Sequence, residues 1–355
     1  MPTAIAAMSG GVDSAVAAAL LLDKYRDCTG VTLKLFGETN FTDARQVAEK
    51  LNIPHRILDF SEEFRCHVIR RFIKTYEEGA TPNPCVDCNR DIKFAFPLYL
   101  AHGLDFDLFC TGHYAQIEPS GSRRLLKKAA DRKKDQSYVL YSLTQAQLER
   151  CFFPLGNLSK SEVRKIAEEL KFVNAEKEES QDICFVPDGD YGAFMEQYDG
   201  KSYPQGDILD LEGKVLGRHK GHVRYTLGQR RGLGVALNDP AYVCAKDPLR
   251  NTITLGSESS LYSKTLVADR INLIACESME KPMRVKVKTR YLQTESPATA
   301  IQSGEDEIRI EFDEGQRALT PGQSAVLYDG DYVVGGGIIR SVFIDNGRRE
   351  HCLLL

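Results

Sequence analysis

The sequence predicts an α/β protein: a parallel sheet covered by helices, then a small β-rich middle module and a C-terminal β-barrel. Three observations carry this expectation. The first half alternates short apolar runs with alanine- and leucine-rich stretches, the rhythm of repeated β-α-β units. After about residue 195 the segments become short, β-rich and punctuated by glycine. From about residue 264 longer β runs follow, without helical interludes. The expected domains are therefore 1–195, 196–263 and 264–355.

Thr3–Met8 is short and apolar, as a buried parallel strand is. Ser14–Tyr25 is rich in alanine and leucine and reads as a helix. Cys28–Phe36 reads as the next strand, Thr42–Leu51 as a helix and His55–Asp59 as a strand. Asp91–His102 has a helical pattern and Leu108–Thr111 an apolar strand pattern; Thr144–Arg150 and Ser159–Leu170 continue as helices. The middle module offers Val215–Leu216, His222–Thr226, Tyr242–Lys246 and Thr252–Leu255 as β segments. The last third offers Thr265–Asp269, Met283–Thr289, Glu307–Phe312, Ser324–Tyr328 and Val333–Ile339.

Composition narrows the function classes. A chain of 355 residues with 42% hydrophobic and 27% charged residues is an ordinary globular protein with room for two or three domains. No apolar run reaches the ~18 residues of a membrane span. Met1-Pro2-Thr3-Ala4 does not lead from basic residues into an apolar core, so no secretory signal is expected, and an arginine-rich amphipathic leader is missing too. The expected compartment is the cytoplasm, where paired cysteines serve reactivity or metal binding more often than disulfide scaffolding. Ten cysteines are too dilute for such a scaffold, and a net charge of −4 disfavours indiscriminate attraction to nucleic acid.

Ala7-Met8-Ser9-Gly10-Gly11-Val12-Asp13-Ser14 lies between the first strand and the first helix. Two glycines permit a tight turn and close approach to a ligand. The helix start supplies unpaired N–H groups and a positive dipole end, both suited to phosphate. Ser9 and Ser14 add hydroxyl donors, and Asp13 is placed to orient a phosphate-bound Mg2+. The Lys-Ser/Thr ending of kinase-type loops is missing. The segment resembles the SGGxDS loop of the ATP pyrophosphatases. That resemblance implies cleavage of ATP to AMP and pyrophosphate, so that an amide-like oxygen leaves as its AMP ester.

Further segments narrow the resemblance. They are TPNPCVDCNRDIKF at Thr81–Phe94, TGHYA at Thr111–Ala115, KDQSY at Lys134–Tyr138, SQDICFV at Ser180–Val186, GHVRYTLGQRRGLG at Gly221–Gly234, Arg290-Tyr291 and Pro321-Gly322-Gln323. In this order they closely resemble the tRNA-specific 2-thiouridylases. The resemblance implies that Cys184 carries a persulfide delivered by a sulfur-relay partner and that Cys88 assists, the two ending as a disulfide. It also implies that Leu33 packs on adenine and Gly112 lies against ATP. His113 is placed close to the chemistry, and Asn83, Pro84 and the residue at Cys85 contact the target base. Lys134, Asp135 and Gln136, with Arg290 and Tyr291, are implied to touch the anticodon stem-loop of tRNA, and Gln323 to lie near the target uridine.

Cys85 departs from the family pattern, which has aspartate there. Cys85 and Cys88 with the distant Cys184 also form a pattern able to hold an iron–sulfur cluster with one open iron, and zinc suits the C-x-x-C spacing. The residues leave the persulfide and cluster readings open, and both use Cys88 and Cys184. Cys28, Cys66, Cys110 and Cys244 read as inert core thiols, and Cys151, Cys276 and Cys352 have no motif around them.

Two basic stretches point to RNA. Lys214, Arg218, Lys220, Arg224, Arg230 and Arg231 occur without an intervening acid, with His219 and His222 among them. Arg123–Lys134 is the second. Tyr291 is suited to stack on an unpaired base. Another ATP pyrophosphatase ligase would share the Ser9–Ser14 loop without needing Cys88, Cys184 or the basic module. A non-catalytic RNA or iron–sulfur protein would have no use for that loop.

Overall fold

Alanines set how closely the first helix approaches its sheet. The computed structural model describes residues 3–25, 27–37, 41–95, 106–177, 182–344 and 351–352. Strand β1 (Ala4–Ala7) leads into helix α1 (Val12–Lys24), whose Ala15, Ala17, Ala18 and Ala19 are buried. β2 (Cys28–Lys34), α2 (Thr42–Leu51) and β3 (His55–Asp59) follow as expected. A long helix, α3, was not legible beforehand. It comprises Ser61–Phe64, a π-helical turn at Arg65–Ile69 and Arg70–Glu77. Short helix α4 (Pro84–Cys88) runs directly into a second π-helical turn, Asn89–Lys93. Helix was expected over Asp91–His102, but only its start is seen; residues 96–102 lie outside the described residues.

β4 (Leu108–Cys110) returns to the sheet. A hairpin of β5 (Ala115–Ser120) and β6 (Arg123–Lys128) follows, then α5 (Ser137–Leu140), α6 (Gln145–Arg150), β7 (Cys151–Phe152), α7 (Lys160–Glu169) and α8 (Tyr191–Asp199). Thr144 with Gln147 and Ser159 with Glu162 form reciprocal capping boxes, which fix where α6 and α7 start. The first sheet is parallel in the order β3-β2-β1-β4-β7. The chain therefore reverses its direction of travel between β1 and β4, and ligands bind such sheets beyond the carboxyl ends at that switch point.

The middle module is a four-stranded sheet ordered β10-β11-β8-β9, with β8 at Gly206–Leu209, β9 at Val215–His219, β10 at Tyr242–Asp247 and β11 at Thr252–Gly256. Ile208, Val243, Ile253 and Leu255 form its small core. The expected strand at His222–Thr226 is instead a 3-10 turn, His222–Arg224. Gly221 enters it at φ 99, and the His222 ring turns to the Glu77 carbonyl of α3 at 3.1 Å, which takes the backbone off the sheet.

β12 (Tyr262–Leu273), β13 (Met283–Lys288), β14 (Ser296–Gly304), β15 (Glu307–Arg317), β16 (Ser324–Asp329) and β17 (Tyr332–Ile344) form a closed antiparallel barrel. Its core includes Leu266, Val287, Ile308, Phe312, Leu327 and Ile339. β14 was not foreseen because its small residues, Ala298, Thr299 and Ala300, lack the bulk that marks a strand.

Two features cross the expected domain limits. α8 runs through residue 195. The β5–β6 hairpin joins the barrel sheet, β6 pairing β17 at Lys127 opposite Tyr332. Beneath it one apolar core holds Ile5, Phe109 and Tyr138 of the first domain together with Ile274, Val326 and Tyr328 of the barrel. Among the described residues no helix is long and apolar enough to cross a membrane.

Candidate active site

The loop after β1 is tied down atom by atom. Gly10 sits at φ +79, which glycine adopts without strain. Ser14 Oγ donates to the Gly11 carbonyl at 2.9 Å and accepts from the Ser9 amide and hydroxyl, each at 3.1 Å. Asn174 donates to the Gly10 carbonyl at 3.0 Å. Gly112, just past β4, packs on the loop so closely that a Cβ there would lie 2.7 Å from the Asp13 carbonyl carbon. Asp13 accepts from Tyr114 Oη at 2.8 Å and from Lys160 Nζ at 2.6 Å. Lys160 was not singled out in the sequence because it lies 147 residues away from its partner, at the start of α7.

A cavity of about 480 Å³ opens between the ends of β1, β2 and β4. Ala7, Met8, Ser9, Asp13 and Ser14 line one side, whereas Val12 turns into the core beneath. Val31, Leu33, Leu35, Phe36 and Phe109 add apolar surface to the lining, so Leu33, expected against adenine, opens into this cavity. Thr111, Gly112, His113, Gln136, Lys93 and Cys184 complete the lining, so the expected persulfide carrier opens into the same space as the phosphate loop.

Cys184 reaches that space because its neighbours are anchored. The Phe185 ring packs edge-on against Phe64, Phe72 and Phe36, with centroids 5.7, 5.2 and 6.3 Å away, and Val186 is fully buried. Ser180 and Gln181 of the same motif lie outside the described residues. Asn83 caps α4, its side chain accepting from the Val86 amide, and Pro84 takes the first helical position. Cys85 and Cys88 follow one turn apart. Asp87 and Asp91 hold this helix from below: Arg71 and Arg90 each bridge both carboxylates at 2.7 to 2.9 Å. From above, the barrel reaches in. Gln323 Nε2 donates to the Thr81 and Pro82 carbonyls at 3.0 and 2.9 Å, and the Thr81 amide donates to the Pro321 carbonyl at 2.9 Å. The amide expected near the target uridine thus straps the cysteine loop.

Cys88 is buried, whereas Cys85 and Cys184 are exposed residues. Burial pushes all three thiols up, Cys88 to about 12. Each of these thiols also sits in the field of Lys93, which favours the thiolate. Cys88 feels both other sulfurs, and Cys184 feels Cys85. The π-helical turn after α4 brings Lys93 into this group, and its ammonium has no partner among the described residues. Lys93 went unnoticed as one more charge in a charged segment. Among the described residues no set of three or more histidine, cysteine or carboxylate side chains is arranged to hold a metal ion.

His113 packs between Phe94 and Phe153, ring centroids 5.5 and 6.0 Å away, and Thr111 Oγ1 lies 2.8 Å from its Nδ1. Burial, aided by Lys93, pulls its pKa down to about 3, so it is a neutral imidazole at physiological pH.

The residues expected to touch RNA divide into two sets. Asp135 is turned inward, accepting from the Ala129 amide and from the Ser137 amide and hydroxyl. Gln136 accepts from the Tyr114 amide and faces the cavity. Lys134 caps the turn that its amide closes onto the Asp131 carbonyl. Arg290 is half-buried and donates to the Ala318 carbonyl and to Thr320. Tyr291 and Leu292 beside it are exposed.

The basic stretch at Arg123–Lys134 is mostly internal. Arg123 donates to the Leu273 and Ile274 carbonyls, Lys127 pairs with Glu118, Lys128 with Glu295, and Arg132 with Asp331. In the middle module, His219 and His222 are buried and held below the usual imidazole value by desolvation, so neither adds charge. Arg224 is taken up by Asp190 and Glu196, and Arg218 by Asp207. Lys214, Lys220, Arg230 and Arg231 remain exposed without an ion-pair partner among the described residues.

A parallel sheet with a serine–glycine loop at its switch point, sharing one cavity with the Cys184 thiol, defines a nucleotide-dependent enzyme with sulfur chemistry. Profiles of known families match three successive stretches of the chain. The tRNA methyl transferase HUP domain matches residues 3–188, the tRNA methyl transferase PRC-barrel domain residues 192–257, and the aminomethyltransferase beta-barrel domain residues 263–339. The tRNA-specific 2-thiouridylase MnmA of Clostridioides difficile is 47% identical over 347 residues, covering 94% of this chain and 96% of its own. Those of Acetivibrio thermocellus and Treponema denticola are 45% and 44% identical, covering 94% of this chain and 98% and 97% of their own. The chain belongs to the tRNA-specific 2-thiouridylase family.

Proposed function

We propose that this chain thiolates C2 of the wobble uridine in tRNA, at the expense of ATP and with sulfur carried on Cys184. The observation that carries the reading is the shared cavity: Ser9, Asp13 and Ser14 lie on one side and Cys184, Lys93 and His113 on the other. The uracil O2 attacks the α-phosphorus of ATP, pyrophosphate leaves, and C2 becomes electrophilic with AMP as its leaving group. The terminal sulfur of a Cys184 persulfide attacks C2, or Cys88 attacks the Cys184 sulfur and releases hydrosulfide to do so. In the first route AMP departs and Cys88 then attacks the Cys184 sulfur, expelling the sulfur now bound to C2; in the second, hydrosulfide displaces AMP; both leave 2-thiouridine and a Cys88–Cys184 disulfide.

Lys93 favours the thiolate forms and partly offsets the burial that raises all three thiols. The neutral His113 is suited to donate a hydrogen bond to developing oxygen charge rather than to act as an acid. Asp13 is the residue to hold a Mg2+ that neutralises the phosphates, with Lys160 beside it as a second cation. Lys214, Lys220, Arg230 and Arg231 supply the phosphate-binding surface, and Tyr291 a face for a base. The sulfur source is a persulfide donor or relay protein. The compartment of this reading is the cytoplasm, where tRNA and ATP are both at hand.

The test supplies purified protein with tRNA, ATP and a persulfide donor. Equal amounts of AMP, pyrophosphate and 2-thiouridine are expected. Pyrophosphate release that ignores tRNA would overturn the reading. Iron and sulfide analysis after anaerobic purification checks the cysteines, and near-zero iron in active protein is the expected result.

A further inference from the structure

The thiolation reading uses two cysteines, but three meet at this site. Cys85 is an exposed residue one helical turn before the buried Cys88. It has no hydrogen-bond partner among the described residues and no metal site to serve. We propose that Cys85 is a resolving thiol, which moves the disulfide left by turnover onto the Cys85–Cys88 pair and frees Cys184. This rests on the reading that turnover ends in a Cys88–Cys184 disulfide.

The geometry suits the exchange. Residues three apart in a helix have Cα atoms about 5 Å apart, inside the ~4.4–6.8 Å span that a disulfide bridges. The pair lies in the first turn of a five-residue helix, where local adjustment is least costly. Access permits the last step: Cys85 is an exposed residue and Cys88 a buried one, so an external thiol meets the new pair at Cys85. In the exchange the Cys85 thiolate attacks Cys88 Sγ. The Cys85–Cys88 bond forms and the Cys88–Cys184 bond breaks. Cys184 leaves as a thiolate and takes up one proton, matching the one Cys85 lost. No net electrons are transferred.

The direction is set by the leaving group. Expelling Cys184 is easier than expelling Cys88, whose thiol is pushed up to about 12. An external dithiol then reduces Cys85–Cys88, becoming a disulfide itself while both cysteines regain their protons. Cys184 is meanwhile open to the next persulfide.

The experiment runs one turnover of the full-length protein with tRNA, ATP and a low-molecular-weight persulfide, without reductant. The reaction is quenched with N-ethylmaleimide and the disulfides are mapped by mass spectrometry of unreduced peptides. Wild type is expected to show Cys85–Cys88 with Cys184 alkylated. Cys85→Ser is expected to accumulate Cys88–Cys184. With limiting external dithiol, its steady-state rate is expected to fall roughly tenfold further than its first-turnover rate. Alkylated Cys85 beside an intact Cys88–Cys184 disulfide in wild type would overturn the resolving role alone. Stoichiometric iron and sulfide bound through the three cysteines would overturn it as well. A first turnover without 2-thiouridine would overturn the thiolation reading itself.

Discussion

The two walls of the cavity are built on opposite principles. On the phosphate-loop side the loop is tied by its own side chains and neighbours: Ser14 with Ser9 and Gly11, Asp13 with Tyr114 and Lys160, Gly10 with Asn174. On the sulfur side Cys184 is held only by backbone N–H groups at Cys184 and Phe185, and among the described residues Cys85 and Cys88 have no hydrogen bond and the Lys93 ammonium no ion pair, while the scaffold beneath is braced by Arg71 and Arg90. The first wall is prepared for one fixed ligand. The second is left free to change its bonds, as groups that trade sulfur must be. Rigidity is placed behind the reacting atoms rather than on them.

The sharpest way to separate the walls is to remove the sulfurs. Cys88→Ser and Cys184→Ser are each expected to lower 2-thiouridine formation by about 10³ or more, with tRNA and ATP affinity close to wild type in filter-binding and calorimetric titrations. Wild-type-like yields from either variant would collapse the distinction. Gly112→Ala strikes the other wall. With its Cβ 2.7 Å from the Asp13 carbonyl carbon, the loop must shift, and tRNA-dependent AMP formation is expected to fall by about 100-fold while persulfide loading of Cys184 persists.

Lys93→Met sharpens the contrast within the sulfur wall. Removing the cation is expected to slow thiolation about tenfold at neutral pH and to move the limb where the rate rises toward higher pH by about one unit. An unmoved limb would remove Lys93 from sulfur activation. The smallest effect concerns stability. His113 has a folded pKa of about 3 against a usual 6.5, so the unfolded chain binds a proton that the folded chain refuses. That stability is complete above pH 6.5 and is lost as the pH falls toward 3. His113→Asn is expected to flatten this part of the stability curve by the equivalent of one proton, as read from urea midpoints across pH.

The phosphate-loop wall was largely legible because a strand, a glycine turn and a helix are local, and residues 7–14 contain all three. The barrel and middle sheet were legible as β-rich thirds, but β14 and the β5–β6 hairpin escaped. Small residues hide the first, and a charged sequence disguised the second. The two basic stretches explain why. As strings they are alike, yet Arg123 and Lys128 find their carbonyl and carboxylate partners some 150 to 200 residues downstream. Arg230 and Arg231 find none among the described residues. Charge is visible in a sequence; neutralisation by a distant segment is not. The same holds for Lys160, Asn174 and Gln323, whose roles exist only once the chain is folded.

That Gln323 and Pro321 of the barrel grip Thr81 and Pro82 has a practical corollary for cutting the chain apart. A fragment ending near the middle module would keep its whole ATP loop yet surrender the strap on the cysteine helix and half of a shared apolar core. Such a fragment would mimic a point lesion at Cys88 even though no cysteine had been touched. The three segments are separate in name but heritable only as one piece: transplanting a barrel from a relative means transplanting the grip on residues 81–82 with it.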